Sequence, residues 1–281
     1  MILNIRRTVK QFDAKKLLHL LLITVAVLMN LPFIWMISTA FKAPDEVFSI
    51  PPKWIPDQLM WENFSNMWHA APFDIYLLNS LIVSVIGATG TTIIGALAAF
   101  GFAKLEFKGK NIIFFLFLMT TMIPLEVRVI PNYIIVKSFG WLDTFEALII
   151  PGLASAFAIF LLRQFFLGIP RDLDDAATID GCSRLRYLFT IILPLSKPAL
   201  LTVWLFMFIR RWNSLLWPLV VTNRDEMRVV QVGLASFQDH FGVEWGELMA
   251  ASTLVAIPIM IVFLFVQKHF IEGVARVGIK G

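Results

Sequence analysis

Two stretches of this chain carry residues whose types and spacing suit binding and docking against another surface rather than bond-breaking. In the first, RRWNSLLWPL, the residues Arg210, Arg211, Trp212, Asn213 and Trp217 interrupt an apolar run that begins at Leu200. Counting roughly 1.5 Å per residue from Ala199 puts both arginines near the middle of a membrane. Charge at that depth calls for water, an ion partner or a solute path. Being adjacent, the two guanidinium groups are expected on different faces, one toward a cavity and one toward a neighbouring subunit. A structural ion pair is the plainer account of either, attraction to an anionic solute the sharper one. An Asn213 amide left bare in a dry environment is costly, so it should bond across to another helix or line the path. A related break, MIPLEVRVIP, sets Glu126 and Arg128 between Pro124 and Pro131, which should both interrupt the helical ladder. Glu126 is a candidate partner for Arg210 or Arg211. Glu126 and Arg128, two residues apart, point in different directions and pair poorly with each other.

The second stretch, IPRDLDDAATIDGCSRLRYLFTIILPLSKPA, reads as two short amphipathic helices folded about a glycine. Asp172 is placed to cap a helix running to Asp180, and Ser183 to start another that reaches about Ile192. Gly181 offers a position where positive φ carries no steric penalty, and Pro194 and Pro198 bound the second helix. Leu185, Leu188, Phe189 and Ile192 form an apolar stripe that a solvated connector would not need. Ala176 and Ala177 let another surface approach closely. Cys182, beside the glycine, reads as a small buried residue.

The elements that hold these stretches are membrane spans. Hydrophobic residues make up 58% of the chain and charged residues 16%. Soluble domains average about 45–50% and about 25%, so this excess means an embedded protein. The mean hydropathy of +0.76 agrees, and long continuous apolar runs exclude a closed barrel. Spans are expected at about 17–37, within 75–103, from Ile112, at about 145–166, from Leu200 and at 248–266. The first reads as an uncleaved anchor, because the run is too long for a secretory signal and lacks a small-residue cleavage pattern. Basic residues before it, the lysines of Lys104–Asn111 and the basic tail put both termini in the cytoplasm. The whole of 1–281 then forms one membrane-embedded domain: anchor span about 17–37, outer loop about 38–76, core spans about 77–266, an inner loop about 168–198 and a tail 267–281. The outer loop, rich in proline and tryptophan, should fold against the headgroups.

Much chemistry is excluded. No phosphate-binding glycine loop, zinc motif or nucleophile elbow occurs. A single cysteine, Cys182, rules out an internal disulfide, and His19, His69, His240 and His269 are scattered, so no metal site is expected. The net charge of +4 belongs to membrane topology and lipid contact rather than to nucleic acid.

The pattern of Asp175, Ala176, Ala177, then Asp180, Gly181, Ile191, Leu193 and Pro194 resembles the EAA loop of importer-type ABC permeases: EAA, three residues, G, nine residues, I-x-LP. Asp175 stands where that family usually has glutamate, one methylene shorter. RWNSLLWP resembles the WN-x₃-WP stretch of carbohydrate-type permeases, which usually place small or uncharged residues at the positions of Arg210 and Arg211. PLEVR and LLRQFF are similar to the glycerol-phosphate branch. The resemblance implies an all-α, six-span type I importer fold with a cytoplasmic coupling helix–turn–helix, in which Asp175–Ala177, Asp180, Gly181, Leu185, Ile191, Leu193 and Pro194 meet an ATPase. It implies as partners a homologous second permease, two ATP-binding subunits and an extracytoplasmic solute-binding protein. ATP and Mg would be used by the ATPase, with no cofactor on this chain. The cargo class implied is a carbohydrate or polyol-like solute, or an anionic one such as glycerol 3-phosphate or a glycerophosphodiester. An ion-coupled secondary transporter is the alternative of another class, supported by Glu126 and the prolines.

Overall fold

The computed structural model describes residues 2–239 and 242–278, and helices dominate it. Strand structure among the described residues is a two-residue antiparallel ladder in which Gln238 faces Val243 and Asp239 faces Gly242. Among the described residues three helices are long and apolar enough to cross a membrane, at Lys15–Ala40, Phe73–Lys104 and Trp245–Gln267. Three bent helix pairs bring the number to six by length and composition.

The bends have local causes. Lys110–Met122 and Leu125–Ser138 turn through 101° where Ile123 is extended ahead of Pro124. A residue before proline is driven out of the α region, so the first helix must end there. Pro131, expected to break the ladder as well, lies inside Leu125–Ser138. Its missing N–H removes one bond, while its fixed φ suits the helix, which therefore continues. Phe145–Gly152 and Ala156–Leu167 bend by 45° across residues 153–155, just after Pro151 and Gly152, and Ser155 caps the second by accepting from the Ala158 N–H. Arg184–Leu195 and Lys197–Trp212 bend by 81°. Lys197–Trp212 is followed after a short break by Leu216–Val221.

The chain divides into two compact units. One comprises residues 1–70 and 237–254. In it the first helix runs to Ala40, and the chain then folds back on the helix end. The Met60 N–H donates to the Phe41 carbonyl at 3.0 Å. The Asn63 amide donates to the carbonyls of Ala40 and Lys42 at 3.0 and 2.9 Å. The Trp54 ring stands edge-on to Trp35, with centroids 5.1 Å apart. Lys42, fully buried, sets its ammonium 3.6 Å from the centre of the Trp35 ring, a cation–π contact that offsets part of its desolvation.

The other unit comprises residues 71–236 and 255–281. Its centre is the Phe73–Lys104 helix, packed against Ala156–Leu167 and Lys197–Trp212. Ala88, Ala96 and Ala99 are buried along it, and a Cβ on Gly95 would lie 3.2 Å from that of Ala158. Small residues thus bring helices close where no hydrophobic drive separates them from lipid. Val83, Val136, Leu148, Val221 and Val229 form an apolar cluster. The Asn79 amide donates to the carbonyls of Glu226 and Arg228, and Ser80 Oγ accepts from the Val230 N–H.

Candidate functional site

The amphipathic stretch folds as two helices. The first, Arg171–Ile179, starts after Pro170, and no side chain caps it. This corrects the expected Asp172 cap: Asp172 and Asp174 fall within the first turn, where carboxylates complement the helix N-terminus. At the other end Cys182 N–H donates to Ala177 O at 2.8 Å and Gly181 N–H to Thr178 O at 3.1 Å, the paired bonds of a Schellman closure. Gly181 has φ +68°, with open space where a Cβ would sit. The demand for glycine is therefore conformational rather than steric. Ser183 Oγ accepts from the Arg186 N–H at 3.4 Å and starts the second helix as expected. This helix widens into a π turn over Leu188–Ile192, and the Leu193 N–H reaches back to the Leu188 carbonyl. Pro194, with no N–H to offer, follows at once.

Burial divides the apolar stripe. Leu188 and Ile192 are fully buried beside Tyr187, whereas Leu185 and Phe189 remain 63% and 59% exposed. The two rows lie roughly 60–100° apart on a helix, and only one faces this chain's own helices. The single stripe is thus corrected to two faces. Asp175, Ala176, Asp180 and Pro194 are exposed, Ile191 and Leu193 half-buried and Ala177 buried. Cys182 is half-buried rather than buried, since it lies past the turn glycine.

An anchor for this segment lay outside the sequence reading. Lys104 Nζ sits 2.9 Å from Asp174 and 3.2 Å from the Ile169 carbonyl, and the Tyr187 hydroxyl donates to the other Asp174 oxygen. The Lys104 and Asp174 side chains are 6% and 23% exposed. Asp174 and the buried Ala177 share one helix face at i, i+3, and that spacing was the available signal.

The same unit contains a cavity of about 640 Å³. Arg128, Arg210 and Arg211 line it, and no aspartate or glutamate does. Arg210 and Arg211 therefore border one space, against the expectation of separate faces; they occupy the last turn before the helix breaks at Asn213, where the opening is wide enough for both. Arg211 Nη2 donates to Thr91 Oγ1 at 3.2 Å and to the Ile149 carbonyl at 3.4 Å. A Cβ on Gly87 would come within 2.5 Å of this side chain, and one on Gly152 within 3.1 Å. Two glycines thus open the slot in which the guanidinium lies. Glu126 is exposed and does not line the cavity. Among the described residues none of the ion pairs involves Arg128, Arg210, Arg211 or Glu126. The expected structural ion pair is corrected: Pro124 starts a new helix after a sharp bend, and Glu126 and Arg128 leave it in different directions. Arg128 Nε is buried without a hydrogen-bond partner.

The tryptophan stretch separates by role. Trp212 is 2% exposed, donates to the Val255 carbonyl at 3.2 Å and stacks on Phe208. Asn213 is exposed at the break, its Oδ1 accepting from Gln231 Nε2 at 3.4 Å, so its amide is not sealed in a continuous helix. Trp217 lines the cavity and donates to the Ala147 carbonyl at 2.9 Å. Thr120, Thr121, Asn132, Ser214, Phe157 and Phe160 also line it. Nothing in their spacing singled them out, because only the bends gather them. No cluster suited to a metal occurs among the described residues.

Apolar spans are broken around an arginine-lined cavity, and the second helix of the two-helix segment is bent by 81° from the next span, an arrangement suited to a membrane transport component. The chain belongs to the family of binding-protein-dependent transport system inner membrane components, whose pattern matches residues 91–276. It is 34% identical over 263 residues to the sn-glycerol-3-phosphate transport system permease protein UgpE of Yersinia enterocolitica, covering 91% of this chain and 94% of that protein. It is 36% identical over 257 residues to the diacetylchitobiose uptake system permease protein DasC of Streptomyces coelicolor, covering 89% and 91%. A chain from the crystal structure of a bacterial ABC transporter that imports the acidic polysaccharide alginate shares the fold, with TM-score 0.77, 24% identity and coverage of 90% and 95%. This membership sets aside the ion-coupled secondary transporter.

Proposed function

We propose that this chain is the permease subunit of an ATP-driven importer for a carbohydrate or polyol-like solute, forming half of the translocation path. The observation that carries the reading is the 171–195 segment. It is tied to its own helices through Lys104, Asp174 and Tyr187 while Leu185, Phe189 and Ile179 stay exposed. Both termini lie in the cytoplasm, so this face meets a separate ATPase, with Asp175–Ala177, Asp180, Gly181, Leu185, Ile191, Leu193 and Pro194 at the joint. Closure of two ATP-binding subunits moves the segment and turns the spans outward; release of the hydrolysis products resets them. ATP and Mg act on those subunits, and this chain binds no cofactor or metal. A homologous permease completes the path, and an extracytoplasmic binding protein delivers the solute. The relatives' cargoes, glycerol 3-phosphate and diacetylchitobiose by name, support the solute class.

Purification of the tagged chain from membranes should recover a second permease and an ATPase, and proteoliposomes of the complex with its binding protein should import solute only with ATP. Uptake driven by an ion gradient without ATP contradicts the proposal. An anionic cargo is the second reading, favoured by the arginines around the cavity.

A further inference from the structure

The cavity has an unusual charge balance. Arg128, Arg210 and Arg211 line it, no carboxylate does, and Arg128 carries a buried donor without a partner. Arg211 is held by a hydroxyl and a carbonyl, groups that orient a guanidinium without neutralising it. Cations gathered around one cavity repel one another and attract a counter-charge. Guanidinium groups suit carboxylate and phosphate oxygens because their paired N–H donors match both. The remaining lining suits the rest of such a solute. Thr120, Thr121, Asn132 and Ser214 offer hydrogen bonds to hydroxyls, and Phe157 and Trp217 present apolar faces. At about 640 Å³ the space can hold a small organic molecule.

Resting on the reading of the chain as an import permease, we propose that this cavity binds the anionic group of a hydroxylated solute, a carboxylate or phosphate ester, with Arg128 and Arg210 as ligands and Arg211 as the fixed positive wall. The site gives this subunit a preference for charged over neutral cargo.

The test uses the assembled complex with Cys182→Ser and a probe cysteine at Ser214→Cys. Labelling rates with an anionic and a cationic thiol reagent of similar size are each normalised to a free thiol. The anionic reagent should be favoured on the order of ten-fold, and Arg128→Gln with Arg210→Gln should reduce that preference to the part Arg211 supplies. Glycerol 3-phosphate or glycerate should slow labelling while glycerol at equal concentration does not, and whichever anion protects distinguishes phosphate from carboxylate. A ratio no higher than in the double variant, equal protection by glycerol, or no labelling by either reagent overturns the proposal. Protection by inorganic phosphate equal to that of the organic anions also overturns it, since the site would then hold only a counter-ion. ATP-driven uptake in the same preparation reports separately on the permease reading.

Discussion

The Asp174 anchor and the Arg211 slot both keep charge inside one compact unit, and they do so in opposite ways. At the anchor a lysine 6% exposed meets a carboxylate, a carbonyl takes a second ammonium bond, and a tyrosine hydroxyl donates to the carboxylate's other oxygen. At the slot a guanidinium meets only neutral oxygens, beside two further arginines. A closed pair stabilises position, because removing either member strands the other. An unneutralised cation leaves capacity for an incoming group. The contrast separates a structural joint from a binding wall, and substitutions at the two should differ in size.

The largest effect on stability is expected from Asp174→Ala. It strands the Lys104 ammonium and should destabilise the protein by about 3 kcal/mol, the low end for buried pairs because Asp174 is 23% exposed. Denaturant unfolding in detergent measures this, and Asp174→Leu with Lys104→Met should regain most of the loss. If the double variant is as unstable as the single one, the anchor is not a pair. Next comes Gly87→Val. A Cβ at that position meets Arg211 at 2.5 Å, and overpacking of this kind costs about 1–3 kcal/mol; Arg211→Met in the same background should relieve it. Arg211→Met alone should change stability by less than about 1 kcal/mol, since no carboxylate is stranded. Uptake of an anionic solute should fall much more than that of a neutral one, and equal losses would make Arg211 purely structural.

The smallest effect concerns Asp143, in the connection before Phe145. Burial favours its neutral form, yet the N–H groups of Asn223 and Arg224 prevail and hold the carboxyl below its ordinary value. Its stabilisation is therefore present above about pH 4 and lost as pH falls through the lower folded value. Asp143→Ala should flatten that acid limb of a thermal-unfolding series. An unchanged limb would assign it to other carboxyls.

These particulars show what was legible in the chain. The span order, the turn at Gly181 and the Ser183 cap followed from local chemistry, which neighbours in sequence dictate. Leu188 and Leu185 could not be assigned to different faces, because only the packed helices decide which row is covered. The Asp174–Lys104 contact joins residues 70 apart, and no local rule names Lys104 as the partner of Asp174. Arg210 and Arg211 were recognised as exceptional, but their common cavity depends on bends whose angles a proline announces without fixing.

The proposed role of the 171–195 segment, transmission of ATPase closure to the spans, depends on a turn that needs positive φ at Gly181. The direct measurement is solute imported per ATP hydrolysed by the reconstituted complex carrying Gly181→Val, with Gly181→Asn as the control that tolerates positive φ. The Gly181→Val complex should assemble and hydrolyse ATP but import at least about ten-fold less per ATP, with the asparagine variant near the parent; a left-handed β-branched residue costs well over the ~1–2 kcal/mol of an ordinary one, and 1.4 kcal/mol is already ten-fold. Import per ATP unchanged in Gly181→Val would contradict it.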